Sequence, residues 1–132
     1  MKKIILFVCQ GNSIRSIMAE AAFNHLCKKN YQAKSAGTLP IHHIDDKAKE
    51  VLKEANIPLI KKEPSSLNYK DIVSAEKLIL MNDDLPNFPV MIPKKLITKW
   101  RIKEVVGRPI DEFRKTRDAI IDEVKKLIKK LK

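Results

Sequence analysis

The sequence predicts an α/β domain, a parallel sheet with helices on both faces. Three observations carry that expectation. Ile4-Ile5-Leu6-Phe7-Val8 is a continuous apolar run that stops at Gly11-Asn12, the pattern of a strand buried on both faces. Strand-like and helix-like segments then alternate, as parallel crossover connections require. The chain closes on a long helix, with Phe113, Ile120, Ile121, Val124, Leu127, Ile128 and Leu131 at three- and four-residue steps.

The elements follow in order. Ile4 to Val8 is the first strand. Ser16 to Lys29 reads as a helix: Met18, Ala21, Ala22 and Leu26 fit one face, and Lys28-Lys29 suit the negative end of its dipole. Tyr31 to Ser35 is the second strand, closed by Ala36-Gly37-Thr38. Asp45 to Ala55 is the second helix, carried by Ala48, Val51, Leu52 and Ala55. Lys77 to Met81 is a third buried strand and Lys95 to Thr98 a shorter fourth. Between them, Pro86, Pro89 and Pro93 make Asp83 to Pro93 a loop. Pro109 and Asp111 mark the start of the last helix, with Asp111 as its N-cap.

A length of 132 residues, without internal repeat or linker, implies one domain over residues 1–132. At 44% hydrophobic and 33% charged, with three Gly, the chain is neither collagen-like nor disordered. The net charge of +11 attracts anions: nucleic acid, acidic membrane or phosphate-bearing molecules. Aromatics are only 5%, so base-stacking platforms are few and nucleic acid is the disfavoured partner. Residues 94–132 hold 14 Lys and Arg against 6 Asp and Glu. Lys125, Lys126, Lys129, Lys130 and Lys132 flank the last helix's apolar stripe, where a solvated face and the helix dipole account for them. Two cysteines exclude a disulfide-rich scaffold. The run from Ile4 to Cys9 is too short to span a membrane or to serve as a signal segment. A reduced, cytoplasmic protein with no membrane partner is expected.

In parallel sheets ligands bind beyond the carboxyl ends of the strands, which directs attention to Val8-Cys9-Gln10-Gly11-Asn12-Ser13-Ile14-Arg15-Ser16. Backbone N–H groups of a short loop entering a helix form an anion-binding nest. Gly11 and Asn12 are residue types that tolerate positive φ in such a curl. Arg15 supplies a planar fork for two oxygens of an oxyanion. The same field favours a thiolate at Cys9, placed for in-line attack on phosphorus. Ser16 is placed to hydrogen-bond that sulfur. The expected intermediate is a phosphocysteine, later hydrolysed, with no cofactor and no metal. Adjacent His42 and His43 point in different directions, and no third ligand accompanies them.

From Val8 through Ile17-Met18-Ala19-Glu20 the chain resembles the phosphate-binding loop and first helix of the low-molecular-weight protein tyrosine phosphatases. The thioredoxin-coupled arsenate reductases share that loop and fold. Ser35-Ala36-Gly37-Thr38, Lys77 to Met81, Ile97-Thr98-Lys99-Trp100, Gly107 and the terminal helix extend the likeness over nearly the whole chain. The resemblance implies Cys9 as nucleophile and Arg15 as oxyanion clamp. Asn12 would shape the loop and Ser13 and Ser16 would hydrogen-bond within it, with Gln10, Gly11 and Ile14 completing the phosphate-binding run. The expected architecture is a flavodoxin-like three-layer domain with sheet order 2-1-3-4.

A leaving oxygen needs a proton. The family draws it from an Asp-Pro pair after the fourth strand, and counting from Trp100 that pair falls on Glu104-Val105. Glu104 is therefore the candidate general acid, acting from a side chain one methylene longer. Asp111 is a rival that helix capping already explains. Arg101, Lys103 and Arg108 bracket Glu104 as a basic rim. The family's aromatic residue after Asp-Pro falls on Val106, and Leu39 to Ile44 holds no Trp or Tyr.

Arsenate has the shape of phosphate, so reduction of arsenate is an alternative activity. The thioredoxin-coupled enzymes relay a disulfide through two cysteines after the third strand, but Met81 to Pro93 has none. Cys27 lies ~16 Å along the helix from Ser16, whereas a disulfide needs Cα atoms within ~7 Å. Cys27 reads as a core or groove thiol, and a reductase here would use an external thiol. The second alternative is a non-catalytic phosphate- or phosphoprotein-binding module. Such a nest needs no thiol beneath the anion, so Cys9 favours catalysis.

Overall fold

A computed structural model describes residues 1–81 and 92–132. Its elements are β1 (Lys3–Cys9), α1 (Arg15–Leu26), β2 (Tyr31–Gly37), α2 (Asp46–Glu54), α3 (Tyr69–Ser74), β3 (Ala75–Leu80), a 3-10 turn (Lys94–Leu96), β4 (Ile97–Lys99) and α4 (Ile110–Lys130).

The apolar run of β1 is uninterrupted because both faces of the strand are covered. Leu6 and Val8 join Leu78, Leu80, Leu67 and Ile72 on one side. Ile5, Phe7 and Cys9 turn to the other and pack with Ile17, Phe23, Phe113, Ile120 and Val124 of α1 and α4. Ile5 to Val8 are all fully buried, worth about 1.5–3 kcal/mol for each side chain. β1 pairs in parallel with β2, from Lys3↔Tyr31 to Cys9↔Gly37, and with β3 through Val8↔Leu80. β4 adds in parallel to β3. The order is β2-β1-β3-β4, the order expected from the sequence. α1 and α4 cover one face, with α2 packed on α4, and α3 lies on the other.

Several boundaries differ from expectation. α1 ends at Leu26, three residues early, because Cys27 is extended (φ −79°, ψ 123°). Lys29 therefore serves a different helix: its Nζ donates to Ile128 O at 2.7 Å and to Leu131 O, at the C-terminus of α4. α4 opens at Pro109, with no side-chain cap. Asp111 sits inside its first turn and accepts from Arg114 Nη1 at 2.6 Å, while Arg114 also holds Glu54 of α2. The expected Asp111 cap is thus corrected: an ion pair has claimed the carboxylate, and proline's fixed φ presets the helix start. α3 was not expected. Its signal is Asn68, whose Oδ1 accepts from Asp71 N at 2.8 Å. Most of the Pro-rich loop, residues 82–91, lies outside the described residues. Among the described residues no helix is long and apolar enough to cross a membrane.

Candidate active site

Cys9 is the last residue of β1 and is 2% exposed. From there the backbone curls through Gln10 to Ile14 into α1. The segment after β2 runs alongside and donates to the outer carbonyls: Thr38 N to Cys9 O (3.0 Å), Leu39 N to Gln10 O (2.8 Å) and Ile41 N to Gly11 O (3.1 Å). In trans peptides the N–H points opposite the C=O, so the N–H groups of Gln10, Gly11 and Asn12 turn to the inner side of the curl. That is the nest. β2 can pass this close only because residue 37 is glycine: a β-carbon there would stand 2.6 Å from Gln10 O and 2.9 Å from Asn12 N.

Of the two residues expected at positive φ, only Asn12 adopts it (φ 49°), while Gly11 does not. Fully buried Asn12 fixes the curl at both ends of its amide. Oδ1 accepts from Ser65 N at 2.8 Å and Nδ2 donates to Ser16 Oγ at 2.8 Å. Ser16 Oγ lies 2.9 Å from Cys9 Sγ. Since the Ser16 oxygen already accepts from Asn12, its own proton is free for the sulfur. Ser13 turns elsewhere: its Oγ donates to His43 O and accepts from Asp45 N, tying the loop to the start of α2. Ile14 is buried at the N-cap of α1, and Gln10 is exposed.

Arg15 opens α1 and is 6% exposed. Its Nη1 donates to Met81 O and Ile102 O, and its Nη2 to Glu104 Oε2 at 3.0 Å. Nε is buried with no partner among the described residues, a condition that costs about 1–3 kcal/mol unless an acceptor arrives. Glu104 Oε1 accepts from Val105 N (2.8 Å) and Val106 N (3.1 Å). The tertiary fold thus brings Glu104 onto Arg15, while Cys9 meets Ser16, the residue after Arg15. Asp111 takes no part, being held by Arg114.

The mouth is aliphatic, with Leu39, Ile41 and Val106 exposed around it. Trp100 instead packs on Phe7, ring centroids 5.5 Å apart. Arg101 is exposed, and Lys103 and Arg108 share Glu112 at 4.0 and 3.9 Å. His42 and His43 are exposed, and no group of three metal-ligating side chains gathers among the described residues. Cys27, partly buried, caps the far end of α1.

Sequence reasoning missed Ser65, the closeness demanded at Gly37, and the two carbonyls that hold Arg15. One signal was available: Gly37 is one of three glycines and ends a strand.

The description "Low molecular weight phosphotyrosine protein phosphatase" names the family whose sequence pattern matches residues 4–132. The chain belongs to that family. It is an enzyme of the cysteine-dependent phosphate-monoester hydrolase kind, with arsenate reductases among its relatives. Arsenate reductase 2 of Staphylococcus haemolyticus is 35% identical, over 90% of this chain and 91% of its own. A low molecular weight protein tyrosine phosphatase from T. tengcongensis superposes with a TM-score of 0.86 at 28% identity, covering 98% of this chain and 100% of its own. An arsenate reductase from Archaeoglobus fulgidus gives 0.79 at 29%, covering 96% and 99%.

Proposed function

We propose that the protein hydrolyses phosphate monoesters, aryl phosphates foremost, through a phosphocysteine at Cys9. The supporting observation is that one loop carries a thiol within hydrogen-bond reach of a hydroxyl and a buried arginine whose Nε has no partner among the described residues. The nest from Gln10 to Ser16 and the Arg15 fork hold the phosphoryl oxygens. The Cys9 sulfur attacks phosphorus, the ester P–O bond breaks, and the leaving oxygen takes a proton from Glu104. Water then attacks the phosphocysteine, releasing phosphate and the thiol. The proposal places this chemistry in the reducing cytoplasm, where Cys9 stays a free thiol.

Purified protein is expected to hydrolyse an aryl phosphate without added metal, and vanadate or iodoacetate to stop it. Retained turnover in Cys9→Ser would overturn the mechanism. Glu104→Gln is expected to lose more rate on poor leaving groups than on good ones; an equal loss removes Glu104 from the acid role.

Arsenate reduction is the second reading, favoured by the 35% identical relative that bears that name. With Cys27 at the opposite end of α1, it requires an external thiol. Arsenate-dependent NADPH consumption with glutathione and glutaredoxin, or with thioredoxin, would establish it. A non-catalytic phosphate-binding module would bind phosphate and fail both assays.

A further inference from the structure

The pairing of Arg15 with Glu104 has consequences for which oxyanion the nest accepts. A guanidinium has five N–H donors. Arg15 directs Nη1 to Met81 O and Ile102 O and gives one Nη2 hydrogen to Glu104 Oε2. Among the described residues the second Nη2 hydrogen and the buried Nε–H meet no acceptor. An oxyanion gripped by those two therefore shares a nitrogen with the Glu104 carboxylate and stands beside it. The Glu104 side chain is half-exposed and is oriented by backbone donors. Its other oxygen accepts from Val105 N and Val106 N, and Val105 is fully buried. Both carboxylate oxygens already accept hydrogen bonds, so what Glu104 presents to its neighbour is an acceptor.

We propose that Glu104 is a specificity-determining residue that selects oxyanions carrying a proton. Oε2 accepts a hydrogen bond from a P–OH or As–OH and opposes an oxyanion with no proton to offer. This rests on the reading of the nest as the oxyanion site. Hydrogenphosphate, hydrogenarsenate and phosphate-monoester monoanions bear such a proton near neutral pH. Sulfate has the same tetrahedral shape and does not. The selection also supplies the acid step: the P–OH proton passes to Oε2, the charge stays on the phosphoryl oxygen, and Oε2 delivers the proton to the leaving oxygen.

Among the described residues, the charged and titratable groups around the site are Cys9 and Arg15 from β1 and α1, Arg101, Lys103 and Arg108 from the Glu104 segment, and Glu112 from α4. Lys47 of α2 donates to Arg108 O, and His42 and His43 lie on the segment after β2. Sulfate meets every one of them, so the ratio of phosphate to sulfate affinity isolates the ligand's proton.

The test is calorimetric titration of the whole protein with inorganic phosphate and with sulfate, on both sides of phosphate's second ionisation. Phosphate is expected to bind at least about tenfold tighter than sulfate, and to stay tighter above the second ionisation, where hydrogenphosphate keeps one P–OH and matches sulfate in charge. In Glu104→Gln, whose amide can donate to a bare oxygen, the ratio is expected to fall to within about threefold. Equal affinities in the wild type, a preference lost above the second ionisation, or an unchanged ratio in Glu104→Gln would each overturn the proposal and leave the nest intact. If neither anion binds the wild type, the nest reading fails as well. If the variant does not fold, the wild-type ratio and its pH trend decide.

Discussion

Asn12 shows how one side chain sets the geometry of the nest. It occupies the left-handed region and links Ser65 N to Ser16 Oγ, which in turn meets the Cys9 sulfur. Asn12→Ala takes the acceptor from Ser65 N and frees the Ser16 hydroxyl to turn away. We expect a loss of about 1–3 kcal/mol in denaturant unfolding and a lower kcat with a smaller change in KM. A kcat unaffected by the substitution would show that the Ser16 proton does not serve the sulfur. Gly37→Ala tests the neighbouring contact. Its β-carbon would meet backbone carbonyl and amide atoms rather than a flexible side chain. A destabilisation of about 1–3 kcal/mol is expected from overpacking, read from the urea midpoint.

At the scale of elements, β1 and the terminal helix were legible because their signals are local and long. Five consecutive apolar residues demand a strand with neighbours on both sides, and a stripe of three- and four-residue steps demands a helix on an apolar face. The ends were less legible. Lys28-Lys29 looked like the positive end of α1, yet Lys29 closes α4, because two helices packed side by side let one lysine reach the other's last carbonyls. Lys29→Met is expected to cost about 0.3–1 kcal/mol and to speed amide exchange in the last turn of α4 rather than of α1. α2 starts one residue later than expected, and Asp45 is its N-cap, its side chain accepting from Lys47 N at 2.8 Å. Asp45→Ala is expected to lower stability by about 1 kcal/mol, measurable as a shift in Tm.

At the scale of the whole molecule, one charged cluster joins α1, β2 and the segment before α3. Glu20 of α1 accepts from Ser35 Oγ of β2, and Lys61 donates to Ser35 O at 2.9 Å with its Nζ 4.0 Å from Glu20. Burial pushes the Glu20 carboxyl up, against the opposing pull of the Ser35 hydrogen bond and the Lys61 charge. Burial likewise pushes Lys61 down, with Glu20 opposing. For a carboxyl raised in the folded state, the native protein binds more protons than the unfolded chain between the two values. Its stabilising contribution is therefore full below the ordinary carboxyl value and is lost as pH rises through the raised one. Lys61 acts on the alkaline side, where stability rises with pH through its lowered value. Glu20→Gln should remove the acid-side component, flattening that part of a plot of unfolding free energy against pH. An unchanged slope would show that Glu20 titrates alike folded and unfolded.

The sequence by itself determined the central strand, the parallel α/β class and the nest that joins Cys9 to Arg15. Those features are local: an apolar run, a six-residue spacing from cysteine to arginine, and a helix that begins where the curl ends. Only the tertiary structure decided what holds Arg15 in place. Its partners are the carbonyls of Met81 and Ile102 and the carboxylate of Glu104, 66 to 89 residues away. Backbone carbonyls have no side-chain signature, and the count from Trp100 that marks Glu104 says nothing of a contact with Arg15. The order of the strands decides which loop ends meet at the carboxyl edge of the sheet. There it sets Glu104 directly against Arg15.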